Sequence, residues 1–218
     1  YGIGKNVPVK GFMMTYHLSF WSDGFRKLLG AEKRVLDLGC GNVPFYDHFE
    51  ENSEYVTIDW EGSLHSNSHV DIDLDLNTEG IPLSSKSVDI VLISDVLEHL
   101  ISPEFVLKEI DRVLIENGTL LISTPFLYWL HETPHDYARY TPYWYKNRLD
   151  SYKHLSVETR GGLLSFFFDL TFKLCHKMKI PRGICYLLLR IYDIQIVRNM
   201  DKKTSHYFPF ALTIKATK

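Results

Sequence analysis

The chain has 218 residues, 45% of them hydrophobic and 23% charged, and a formal net charge of −3. That is ordinary for a soluble globular protein, and long enough for one domain, 1–218, with a substantial core. No apolar run reaches the ~20 residues of a membrane-spanning helix, and the acidic balance disfavours nucleic acid as a partner.

In chain order, Leu18, Trp21, Phe25, Leu28 and Leu29 share one apolar face, which predicts a helix over Tyr16–Leu29. Arg34–Leu38 is the first strand. It carries an acid at Asp37 and runs into Gly39-Cys40-Gly41. A strand ending in paired glycines lets an α/β fold bring backbone close to a nucleotide-like ligand. A short helix over Phe45–Glu51 follows, then strands at Tyr55–Asp59, Val70–Ile72 and Val88–Ser94. Pro103–Leu114 is a helix with proline in its first turn. Asn117-Gly118 makes a turn into a fifth strand, Thr119–Ser123. Leu155–Thr159 reads as a sixth strand, Leu163–Met178 and Gly183–Val197 as apolar helices, and Phe208–Ala216 as a last strand. Strands alternating with helices imply a parallel sheet covered on both faces.

Three acids accompany the glycines. Asp59 ends the second strand, 20 residues after Gly39, where a nucleotide fold places the carboxylate that accepts from both ribose hydroxyls. Asp73 or Asp75 is placed to accept from an adenine amino group. A dinucleotide fingerprint needs a third glycine where this chain has Pro44. Asp37 would repel a pyrophosphate and suits an ammonium or sulfonium. Cys40, Cys175 and Cys185 have no metal-ligand spacing, and an odd, sparse set suggests reduced thiols and a cytoplasmic protein with no secretory leader.

Val35-Leu-Asp-Leu-Gly-Cys-Gly41 resembles the first motif of class I S-adenosylmethionine-dependent methyltransferases of the methyltransferase type 11-like kind. Thr57-Ile-Asp-Trp60, Gly80-Ile-Pro-Leu83 with Ser87–Leu92, Asp95–Leu100, Leu107–Leu114 and Gly118–Ser123 resemble the motifs that follow it, over roughly residues 30–145. The resemblance implies a Rossmann-like seven-stranded mostly parallel sheet, helices on both faces and an antiparallel last strand. It also implies roles by position. Gly39 and Gly41 would meet the methionine part of the cofactor, with Asp37 facing its charged end. Asp59 would bind the ribose and Trp60 would lie against adenine. Asp75 with Leu76 would contact the adenine edge. Ser94 and Asp95 would sit below the sulfonium. Cys40 is expected to fill space.

The run Pro125–Thr141 leaves the fifth strand and packs His131, Glu132, His135, Asp136 and Arg139 among aromatics. It resembles a His-Glu-x-Pro-x-Asp-Tyr-x-Arg-Tyr-Thr segment in a subset of the family often associated with cell-surface polysaccharide biosynthesis. Pro134 breaks any zinc-type His-Glu-x-x-His helix, so no metal is expected there. His131, His135 and Asp95 are the candidate catalytic groups, with either histidine a possible base toward a hydroxyl. The competing expectation is that the loop ties itself down, with Arg139 paired to Glu132 or Asp136.

Residues 1–159 hold 13 Lys/Arg against 24 Asp/Glu, while 160–203 hold 9 against 3. This basic stretch is expected to cover the acceptor side as an insertion. Its segment 163–197 offers either a membrane-surface contact or a homodimer surface. The expected activity is methyl transfer to an oxygen of a small-molecule or glycan acceptor. The alternative is a non-catalytic or regulatory member that keeps the cofactor site.

Overall fold

The structure, a computed structural model, describes residues 33–46, 53–65, 69–178 and 195–218. The helix expected over Tyr16–Leu29, all but Phe45 and Tyr46 of that over Phe45–Glu51, most of that over Gly183–Val197, and Cys185 lie outside the described residues.

The strands are β1 (Arg34–Leu38), β2 (Glu54–Asp59), β3 (Ile72–Asp73), β4 (Val88–Ser94), β5 (Leu114–Pro125), β6 (Lys153–Arg160) and β7 (Ala211–Thr217). They form one sheet in the order β3-β2-β1-β4-β5-β7-β6. Neighbours from β3 to β5 pair in parallel, and β7 runs antiparallel to both β5 and β6. The helices are α1 (Pro103–Val113), α2 (Pro142–Arg148), α3 (Leu163–Lys177) and α4 (Gln195–Thr204). The expected Rossmann-like sheet with an antiparallel last strand is the one present.

Apart from Asp37, the central residues of β1 and β4 are apolar because both faces of the sheet are covered. Val35, Leu36, Leu38, Val91, Leu92 and Ile93 are all fully buried. Helix α1 buries Val106, Leu107, Ile110 and Val113 along one stripe against that sheet. Each such side chain contributes about 1.5–3 kcal/mol on burial.

Three elements differ from the sequence expectation. Strand β3 has two residues and starts at Ile72, because the Asp71 carboxylate accepts the Thr57 N–H (2.9 Å) and its hydroxyl (2.9 Å) in place of a ladder partner. Strand β5 begins at Leu114 straight out of α1. The expected Asn117-Gly118 turn lies inside it, where Asn117 has φ +63° and the pairing with β4 jumps register. Helix α2 was hidden in the aromatic run. Its signals are Thr141, whose side chain accepts the Trp144 N–H at 3.2 Å, and Pro142 in the first turn.

The sheet order reverses between β1 and β4, and the carboxyl ends of β1, β2 and β4 open on one edge. Ligands bind in α/β sheets at that switch point.

Candidate active site

A cavity of about 940 Å³ lies on that edge. Its lining includes Asp37, Gly39, Cys40, Gly41, Asp59, Trp60, Asp75, Leu76, Ser94, Asp95, His131 and His135. All of these were singled out from the sequence. Of the two candidate adenine acids, Asp75 lines the cavity, while Asp73 is exposed and does not. Among the described residues five acids line the cavity, Asp37, Asp59, Asp75, Asp95 and Glu132, and no lysine or arginine does. Such a wall favours a cationic ligand and opposes a pyrophosphate.

The glycine loop is shaped by backbone constraints. Gly39 has φ +67°, and a Cβ there would lie 2.3 Å from Val96 Cγ2. Gly41 has φ +53°, and its N–H donates to Asp59 Oδ2 at 2.9 Å. Asp59 Oδ1 accepts from the Trp60 N–H at 2.9 Å, so this one carboxylate fixes both the loop and the cavity wall that starts at Trp60. Asp37 is buried and accepts from the Tyr55 hydroxyl at 2.5 Å. Burial pushes its carboxyl up to about 7. Burial likewise pushes the Cys40 thiol up to about 12, which suits a space-filler and not a nucleophile. These residues fit S-adenosylmethionine: glycine backbone for close approach, acids for ribose and for positive charge, and an aromatic beside them.

At the mouth of β4, the Ser94 and Ser123 hydroxyls are 2.6 Å apart. Asp95 follows in the left-handed region, φ +54°, and its N–H donates to the Ser123 carbonyl at 2.9 Å. A single 3₁₀ turn, Leu97–His99, then buries Glu98 completely.

The histidine-rich loop closes over this turn. Arg139 grips Asp136 with two nitrogens at 2.5 and 2.8 Å and also donates to the Trp129 carbonyl at 3.0 Å. Of the two partners expected for Arg139, Asp136 is the one it takes. Burial works to raise Asp136, but the Arg139 guanidinium outweighs it and holds the carboxyl at about 2. Asp136 Oδ2 accepts from the His131 N–H at 2.9 Å and lies 3.2 Å from His131 Nδ1. His131 Nε2 is 3.6 Å from Glu98 Oε1. Burial works to lower His131, but Glu98 and Asp136 together raise it above the ordinary imidazole value. His135 sits apart, edge-on to Trp60 at 5.7 Å, with Nδ1 3.0 Å from the Tyr137 hydroxyl.

Three residues carry geometry that sequence reasoning missed. Glu98 stands between His131 and His99, whose Nε2 is 3.8 Å from Glu98 Oε1. His65 bridges the two halves of the cavity: its Nδ1 is 3.3 Å from the Asn42 amide, and its Nε2 is 3.7 Å from Glu132 Oε1. Tyr128 packs edge-on to His131 at 5.2 Å and lies under Lys173 of α3, 4.0 Å from its ring centre. The available signal was the Glu98-His99 pair itself, one turn beyond the end of a central parallel strand.

The sequence profile of the Methyltransferase domain family matches residues 36–122. Among curated proteins nothing matches. Among solved structures, a SAM-dependent methyltransferase from Archaeoglobus fulgidus is 16% identical, with 95% of this chain and 98% of that one covered at a TM-score of 0.60. The [4+2]-cyclase SpnF is 15% identical, with 98% and 85% covered and a TM-score of 0.61. A Haemonchus contortus phosphoethanolamine N-methyltransferase, solved with phosphomonomethylethanolamine and S-adenosylhomocysteine, is 14% identical, with 91% and 52% covered at 0.52. These likenesses share the fold, and the family match falls on the segment that carries the glycine loop, Asp59 and Asp95. With the cavity built from those residues, the chain carries a Methyltransferase domain over residues 36–122, and the activity this supports is S-adenosylmethionine-dependent methyl transfer.

Proposed function

We propose that this enzyme methylates a hydroxyl of a small or sugar-like acceptor, in cell-surface polysaccharide biosynthesis. The observation that carries the hydroxyl reading is the corner where Asp95 and His131 meet the mouth of β4. His131 is held there by two carboxylates and faces a cavity with no lysine or arginine among its described lining residues. A neutral polyol suits that wall better than a phosphorylated acceptor. The polysaccharide assignment rests on the resemblance of His131–Thr141 to the segment found in that subset.

When bound, the cofactor supplies a methyl group on a sulfonium, already activated for transfer. On the donor side, Asp59 binds the ribose hydroxyls, Trp60 with Asp75 and Leu76 frames the adenine, and Asp37 faces the positive end. Ser94 and Asp95 close the floor beneath the sulfonium. During transfer to a hydroxyl, His131 would take up the hydroxyl proton. Glu98 and Asp136 stabilise the imidazolium so formed. The contact of His135 with Trp60 supports a role in the cavity wall, with His131 as the base. Phe167 and Leu174 on α3, and Met178 just after it, are exposed at helical spacing, which supports contact with a membrane surface carrying a lipid-linked acceptor.

A labelled-methyl screen against neutral glycans, nucleotide sugars and lipid-linked glycans tests the reading. His131→Ala should leave S-adenosylhomocysteine binding intact and slow transfer by about 10²–10⁴-fold; an unchanged rate removes the base assignment. A [4+2]-cyclase shares this fold, so the fold alone does not require methyl transfer, and one other reading is a chain that keeps the cofactor site without turnover. It predicts calorimetric binding with no methyl incorporated into any glycan extract.

A further inference from the structure

We propose that Glu98, His99 and His131 form a binding site for one first-row divalent metal ion, set into the wall of the cofactor cavity beside the mouth of β4. The three residues come from two segments, the 3₁₀ turn after β4 and the loop after β5. Their ligand atoms all lie within 4.8 Å of one another. A single carboxylate oxygen, Glu98 Oε1, faces both imidazoles, 3.6 Å from His131 Nε2 and 3.8 Å from His99 Nε2. Metal–ligand bonds of about 2.0–2.2 Å at tetrahedral angles place neighbouring donor atoms about 3.4 Å apart. Two edges of the site thus need to contract by only a few tenths of an ångström, and the third closes by rotation of an imidazole.

The surroundings are those of a ligand set. His99 Nδ1 sits 2.5 Å from the His135 carbonyl oxygen, and His131 Nδ1 sits 3.2 Å from Asp136 Oδ2. The carbonyl selects the His99 tautomer with a proton on Nδ1, and Asp136, closer to His131 Nδ1 than the Arg139 nitrogen at 3.5 Å, favours the same tautomer there; each leaves an Nε2 lone pair toward Glu98. Arg139 fixes Asp136 in turn. Glu98 is fully buried, and among the described residues neither of its oxygens has a hydrogen-bond partner. A buried carboxylate in that position either takes up a proton or is held ionised by a cation, and the two imidazoles leave room for one. Two imidazoles and a carboxylate form the donor set of open catalytic zinc and iron sites, which keep positions free for a further ligand. His99 and His131 both line the cavity, so those free positions face the space for the acceptor. The sequence expectation of no metal considered only His131 with His135. The site uses His131 with His99 instead, joined through Glu98.

The site itself is independent of the acceptor. Its use, to hold and acidify an acceptor hydroxyl, rests on the hydroxyl reading above, and His131 would then serve as ligand instead of base. The test is titration of the tag-free, chelator-treated full chain with Co²⁺, followed by visible absorption, and with Zn²⁺, followed by calorimetry. One equivalent of Co²⁺ with the strong bands of a four- or five-coordinate site is expected. Glu98→Gln and His99→Ala should each weaken metal binding at least tenfold while S-adenosylhomocysteine still binds, which shows that the fold survives. A wild-type chain that binds S-adenosylhomocysteine but gives neither a Co²⁺ band nor saturable Zn²⁺ heat overturns the proposal and leaves an ion-pair cluster of protonated imidazoles. Stoichiometric metal in a chain that methylates no hydroxyl compound upholds the site and discards only the hydroxyl reading.

Discussion

Asp37 is 2% exposed inside β1, and burial, opposed by the Tyr55 hydroxyl and aided by Asp59, lifts its carboxyl to about 7. In the unfolded chain the same group titrates near 3.8. Between those values the native state holds the extra proton, so Asp37's contribution to stability falls as pH rises through that window. Cofactor binding runs the other way, because positive charge opposite Asp37 favours the ionised form. Affinity for S-adenosylmethionine should therefore rise about tenfold from pH 6 to pH 8, following the ionised fraction. Asp37→Asn should flatten that calorimetric profile. Asp59 acts differently: it is a hydrogen-bond acceptor for Gly41 and Trp60, and the proposed reading adds the ribose. With charged hydrogen bonds worth about 1.5–3 kcal/mol, Asp59→Ala should weaken cofactor binding by about 10–100-fold, read by the same calorimetry. These roles were legible because strand, glycines and acids lie within 27 residues of one another in the chain. Glu98 was not, since its partner His131 is 33 residues away and a lone glutamate after a strand carries no periodic signal.

Helices α3 and α4 come between β6 and β7 in the chain, where the sequence predicted a cover. Their join depends on Asp201 of α4, a buried side chain that accepts the Leu164 and Ser165 N–H groups at 2.9 and 3.3 Å and caps α3 from outside. Gly162 makes the approach possible: a Cβ there would lie 2.2 Å from Thr204 Oγ1 and 2.3 Å from the Asp201 carbonyl. Asp201→Ala should destabilise the fold by about 1–3 kcal/mol, measured by denaturant unfolding, and should leave cofactor affinity nearly unchanged because the cap lies away from the cavity. The sequence showed the length and apolar character of α3 but not this cap, which comes from a residue 37 positions later. Helix α2 was missed for a related reason. Its seven residues are too few for periodicity to stand out, and only Thr141-Pro142 marks its start.

Across the whole molecule, the sheet and its helices present the switch-point edge as one acidic cavity, while the excess of lysine and arginine falls in 160–203. The described helices contain none long and apolar enough to cross a membrane. The cavity gathers residues from β1, β2, β4 and the loops behind β3 and β5, so a bound cofactor ties most of the sheet together. A ligand at 100 times its dissociation constant stabilises by about 2.7 kcal/mol. For a chain of this size that corresponds to a rise of about 5–10 °C in Tm with S-adenosylhomocysteine, and no rise with NADH is expected in differential scanning calorimetry.

His65 gives this arrangement a direction in time. It stands between Asn42 of the glycine loop and Glu132 of the histidine-rich loop, and Glu132 Oε2 reaches within 3.9 Å of His99. A donor settling on the glycine loop would set His65, His65 would set Glu132, and only then would the acceptor's side be complete. Turnover would thus be ordered: methyl donor first, acceptor second, methylated product out, demethylated cofactor last.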